Sequence, residues 1–195
     1  MPIPADAVRG EPPARWLPDE PLPPYAYLPR RTPHPTRDAD GHSFGRAPSL
    51  LAPPDPRRWR ECTPYLHGID LFNHGYYWEA HEAWEALWHA CGRTGQTADF
   101  LRALIRLAAA GFKLREGRPM GALRHAAAAS ALLREVVAEN ERPDAGYMGL
   151  RVRALADAAD GFSAGLSGGG GPPDPMPPDP ARPFAVLPFW LRPGP

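Results

Sequence analysis

The sequence predicts an all-α protein: a small antiparallel helical bundle of three to four main helices with an extended proline-rich arm at each end. Three observations predict it. The chain has 195 residues and 28 prolines. Sixteen lie between residues 2 and 64 and ten from 172 onward, which leaves Pro119 and Pro143 alone between 65 and 171. Proline removes a backbone donor and breaks helices and central strands, so regular structure is confined to the middle of the chain. That middle also carries apolar residues at helical spacing and lacks strand-type alternation. The boundaries that follow are an arm over 1–64, a bundle over 65–162, and a Gly/Pro linker with an apolar tail over 163–195.

The elements follow in order. Residues 65–73 read as a short helix stopped by Asn73-His74-Gly75. Residues 76–91 form a second helix, closed by Gly92. A third covers 98–115, with Phe100, Leu101, Leu104, Ile105, Leu107, Ala108, Phe112 and Leu114 on a broad apolar face. Gly117-Arg118-Pro119 turns the chain, and Pro119 suits the first position of a fourth helix running to about Asn140. Pro143 and Gly146 break it, and 148–160 reads as a weaker fifth helix. The arms are expected to lie extended. They carry Trp16, Leu17, Tyr25, Tyr27, Leu28 and Trp59 at one end and FAVLPFWL (184–191) at the other. So much apolar surface suits arms that wrap their own bundle, or that serve self-association or a protein partner.

Charge excludes some functions. Basic and acidic residues balance at 22 each, so no global field favours nucleic acid or an anionic membrane surface. No apolar run reaches the roughly 18 residues a membrane-spanning helix needs. The start, MPIPADAVRGEPP, has neither the basic nor the apolar segment of a secretory signal, so the cytoplasm is the expected address. Cys62 and Cys91 lack metal-ligand spacing and are expected to be free thiols. The balance is uneven inside the bundle. Residues 65–92 carry Asp70, Glu79, Glu82 and Glu85 with no Lys or Arg, whereas 93–134 carry seven Arg and Lys113 against Asp99 and Glu116. Pairing between the two halves is the plain expectation.

The second helix concentrates the chemistry. At about 100° per residue, His81, Glu85, Trp78, His89 and Glu82 fall within roughly a third of its circumference. Glu79 points elsewhere, toward solvent, and Tyr77, Trp84 and Trp88 form an adjacent stripe suited to core packing. Three readings compete for the polar face. In the leading one Glu82 and Glu85 form a structural ion-pair network with Arg102 and Arg106 of the third helix, beside Trp78. In the second His81 and Glu85 share a divalent metal ion, with His89 or His125 as further ligand candidates. His81 and His89 lie about 12 Å apart along the helix, too far to share one ion. In the third His81 works with Glu82 or Glu85 as an acid–base pair. No nucleophile motif accompanies them. The functional expectation is a structural or interaction protein. The alternative is a metal-dependent or acid–base enzyme, hydrolase-like, acting on a small molecule.

The sequence also resembles a known family. Phe72, Asn73 and Gly75, then Ala80, His81, Glu82, Glu85 and Trp88, then Leu104, Ile105, Ala108 and Ala109, then Gly121 and Ala122 are similar in order and spacing to domain-of-unknown-function family 309. The resemblance covers residues 65 to about 133. It implies a small helical bundle and no particular activity.

Overall fold

The structure is a computed structural model, and it describes residues 11–47, 50–139, 146–167, 179–181, 183 and 185–194. Among the described residues five α-helices follow one another: α1 (Thr63–Asn73), α2 (Tyr77–Ala90), α3 (Gln96–Arg115), α4 (Pro119–Ala138) and α5 (Val152–Ser167). Each packs chiefly on its neighbours in the chain. Among the described residues there is no strand, only an isolated bridge from Tyr147 to Leu150. The all-α expectation holds.

The register shows the antiparallel course of the first four helices. Phe72 near the end of α1 meets Tyr77 at the start of α2, and Gly68 lies under Trp84 further along. Tyr77 then faces Gly111 late in α3. Lys113 at the end of α3 meets Gly121 at the start of α4, and Gln96 donates to the Val136 carbonyl at the far end. Two helix-interior glycines serve close packing here. A Cβ on Gly68 would stand 2.3 Å from the Trp84 indole nitrogen, and one on Gly111 2.7 Å from the Tyr77 ring. Removing the Cβ lets α1, α2 and α3 close around two large aromatics, and the fully buried indole still donates to the Tyr65 carbonyl.

Element bounds differ from expectation by a few residues. α3 starts at Gln96, and α5 is displaced to Val152–Ser167 because Met148, at φ 45, sits in the tight Tyr147–Leu150 turn. A 3-10 helix over Pro56–Glu61 lies inside the expected extended arm, with Asp55 capping the Arg57 amide and Pro56 at its first position. It buries Trp59. Pro143, Phe184 and the linker stretch 168–178 lie outside the described residues.

Both arms lie on their own bundle. Trp16 packs edge-on against Trp59, and Ala26 and Leu28 are buried. An extended arm leaves its amides without helical partners, and two helix carboxylates take them. Asp70 of α1 accepts the amides of Trp16 and Leu17, each at 2.9 Å. Glu79 of α2 accepts the Tyr27 amide at 2.8 Å and lies 3.3 Å from His42 Nε2. The expectation that Glu79 is solvated is therefore overturned: the residue is 6% exposed. Helical periodicity placed it off the aromatic stripe, but the arm covers that side. The tail docks similarly. The Tyr77 hydroxyl accepts the amides of Val186 and Leu187, and the Asn73 amide group pairs in both directions with the Leu191 backbone. Ala26 of the first arm donates to the Pro180 carbonyl of the second, so the two arms meet.

Candidate functional site

α2 carries the site because its two faces divide cleanly. Tyr77, Ala80, Trp84 and Leu87 are buried against α1 and α3. This rotation leaves His81, Glu82 and Glu85 together on the free side. One ligand atom from each of the three can be chosen so that all lie within 4.8 Å of one another. His81 Nε2 is 3.9 Å from Glu85 Oε1, one turn further on.

Their electrostatics are those of an uncompensated cluster. Burial holds the His81 imidazole below its ordinary value; Glu85 and the Ile105 carbonyl oppose this and Arg106 adds to it. The ring is therefore neutral at pH 7 and keeps a lone pair. Glu82 is open to solvent along one side, yet its carboxyl is pushed up to about 6. Packing around the carboxyl contributes most, then the charges of Glu85 and Glu79, and Arg37 of the arm pulls the other way. A carboxylate this close to Glu82 raises its proton affinity.

The expected ion-pair network is not what forms. Arg102 pairs with Asp99, one turn back on its own helix, at 3.0 Å. Arg106 turns to α4, where its Nη1 lies 3.4 Å from His125 Nδ1. Among the described residues no ion pair joins Glu82 or Glu85 to either arginine. The physical reason is local. Asp99 lies three residues from Arg102 on the same helix, so the contact needs no long-range alignment.

The remaining candidates separate. His89 is exposed, accepts from Arg93 Nε at 3.1 Å and stands outside the cluster. His125 faces Arg106 and contributes no ligand atom to the cluster of three. Trp78 turns toward the arm, edge-on to Tyr27 and His34. Sequence reasoning did not assign Glu82 as a metal ligand, although its place 100° from His81 on the helical wheel allowed it. It also missed the arm's share of the site, namely Tyr27 and His34 on Trp78 and Arg37 near Glu82. No periodicity links residue 37 to residue 82.

A separate surface cavity of about 620 Å³ lies between Pro53–Pro54 and the α2–α3 turn, lined by Cys91, Thr97 and Tyr147 among others. None of the three clustered residues lines it.

The Asn73–Gly75 stop, the His81-Glu82-x-x-Glu85 turn and the Leu104–Ala109 face of α3 now stand in one packed unit. Residues 65–125 match the model of DUF309, a domain of unknown function. The DUF309 segment therefore runs from α1 to the first turns of α4. It includes His81, Glu82, Glu85, Arg102 and Arg106 and ends on His125, while the arm that supplies Arg37 lies outside it. No curated protein and no solved structure matches the chain. No helix among the described residues is long and apolar enough to cross a membrane.

Proposed function

We propose that the His81–Glu82–Glu85 face of the DUF309 segment is a divalent-metal centre acting on a small molecule. The observation that carries this reading is the convergence of three ligand atoms within 4.8 Å. Three ligands about 2.0–2.2 Å from one ion stand at most about 3.8 Å from one another, so the side chains need draw in by only about 1 Å to complete the set. One neutral nitrogen and two carboxylate oxygens suit zinc, manganese or ferrous iron over calcium or magnesium. All three ligands come from two turns of one helix, which leaves the outer side of the ion open to a substrate or water. An ion held there would polarise a bound carbonyl or phosphoryl oxygen, or lower the pKa of a bound water.

The leading expectation from sequence, a structural face neutralised by arginines, loses support because those arginines engage Asp99 and His125. A partner-binding role for the arms also loses support, since Ala26, Leu28, Leu187 and Leu191 are buried on the arms' own bundle. The test is metal analysis by mass spectrometry of protein purified without chelator or histidine tag. The reading expects about one equivalent of a transition metal per chain, lost in Glu85→Ala. Protein that stays metal-free after growth and dialysis with zinc, manganese and iron supports the structural reading instead.

A further inference from the structure

Beside the carboxylates lies a patch of the opposite charge. Arg106 of α3 reaches α4, where its Nη1 is 3.4 Å from His125 Nδ1, and its charge also acts on His81 of α2. The other cations of α3 and α4, Arg124 apart, have oxygen partners. Arg102 pairs with Asp99, Lys113 with Glu116, and Arg134 with Asp157 and Asp160, while Arg115 donates to the Gly75 carbonyl. Among the described residues Arg106 and Arg124 have no carboxylate within 4.0 Å, and both are exposed. Three permanent charges act on His125, those of Arg106, Lys113 and Arg124, and all are positive. A positive patch in which Arg106 and Arg124 lack a carboxylate partner, one helix away from the Glu82 and Glu85 carboxylates, is organised for an anion that the protein itself does not supply.

We infer that Arg106 and His125, with Arg124 at the rim, form an oxyanion site beside the His81–Glu82–Glu85 centre, and that the small molecule handled there carries a phosphate group. The inference rests on the metal-centre reading for its chemistry but not for its binding residues. The contact with Arg106 uses the lone pair of His125 Nδ1, so the neutral ring keeps its proton on Nε2 and can donate it outward. The guanidinium of Arg106 has four further N–H bonds in a planar fork that matches two oxygens of a phosphate. Two guanidinium groups and one imidazole offer more donors than the two oxygens of a carboxylate accept, whereas a phosphate dianion presents three. The chain as a whole has no net charge, which favours a single phosphate over a polyanionic strand.

The test uses the 195-residue chain with inorganic phosphate as probe and Mn²⁺ as the paramagnetic ion. The ³¹P relaxation of phosphate should rise steeply in the Mn²⁺-loaded protein above that with free Mn²⁺. Arg106→Gln should weaken phosphate binding by about tenfold or more, the loss of a charged hydrogen-bonding group, while the protein still binds Mn²⁺ at least as tightly. Arg106→Lys should restore part of it. Arg106 is exposed, and an unchanged melting curve verifies that the variants fold. Phosphate binding that is equal in wild type and Arg106→Gln overturns the inference. So does tighter binding of acetate than of phosphate. Phosphate binding in metal-free protein that shifts the backbone amide resonances of Arg106 and His125, with no Mn²⁺ bound at any concentration, upholds the oxyanion site and defeats the metal-centre reading. Mn²⁺ bound with no phosphate binding does the reverse.

Discussion

Arg102 pairs with Asp99 on its own helix at 3.0 Å and leaves Glu82 and Glu85 on the neighbouring helix without a guanidinium partner. A long-range network joining α2 to α3 is thereby replaced by a half-buried pair within one turn. Such pairs contribute about 0–1 kcal/mol, against the 3–5 kcal/mol lost when a buried ion pair is broken. Arg102→Met is therefore expected to change unfolding free energy by less than about 1 kcal/mol. Chemical denaturation measures it, and a loss of several kcal/mol would restore the interhelical network.

The same relationship bears on Glu82. Its carboxyl sits at about 6 partly because Glu85 is charged beside it. In metal-free Glu85→Gln the Glu82 carboxyl should titrate lower than in the wild type, as followed by its ¹³C carboxyl resonance. An unchanged or higher titration point would mean that Glu85 does not repel it.

The arm is held by carboxylates, which sets a second expectation. Asp70 is 1% exposed and accepts two arm amides. Asp70→Asn keeps the shape but leaves one acceptor oxygen, so one buried amide loses its partner at a cost of about 1–3 kcal/mol. Limited proteolysis should then cut the arm near residues 15–20 before the bundle. An arm as resistant as the wild type's would show that its apolar contacts suffice.

Gly68 and Trp84 should behave as a pair. A methyl group on Gly68 overlaps the indole, so Gly68→Ala should cost about 1–3 kcal/mol or more. Trp84→Leu alone opens a cavity in the core. In the double variant the added methyl should cost clearly less than it does in the wild type. Additive losses would mean that the two residues do not share this contact.

Alkaline pH tests the tail. Burial pushes the Tyr77 phenol up to about 12, while an unfolded tyrosine titrates near 10. Between these values the unfolded chain has released a proton that the folded chain retains, so stability falls as pH rises. The contribution is full below pH 10 and is lost by pH 12, about 2–3 kcal/mol from this residue. Tyr77→Phe lacks that slope, although it also gives up the hydroxyl that accepts the Val186 and Leu187 amides. Equal pH dependence of the two proteins over that range would contradict the assignment.

Much of the bundle was legible in the sequence because it is written in local terms. Asn73-His74-Gly75, Pro119 and the apolar face of α3 signal starts, stops and burial within a few residues. The convergence of His81, Glu82 and Glu85 was legible for the same reason, since one helix supplies all three. The fate of Arg102 was not, because the wheel gives a direction and the choice between Asp99 and α2 depends on interhelical distance. Glu79 was misread because its burial comes from Tyr27 and His42, 52 and 37 residues away. An extended arm has no period, so nothing in residues 11–47 indicates which carboxylate each amide meets.

The most direct test of the central claim is a calorimetric titration of Mn²⁺ and Zn²⁺ into the metal-stripped 195-residue chain and its His81→Ala, Glu82→Gln and Glu85→Gln variants. The account predicts one ion per chain for at least one of the two metals in the wild type. Each single substitution should weaken that binding by about tenfold or more, and His89→Ala should leave it unchanged. No binding in the wild type, or equal binding across the three ligand variants, would contradict it.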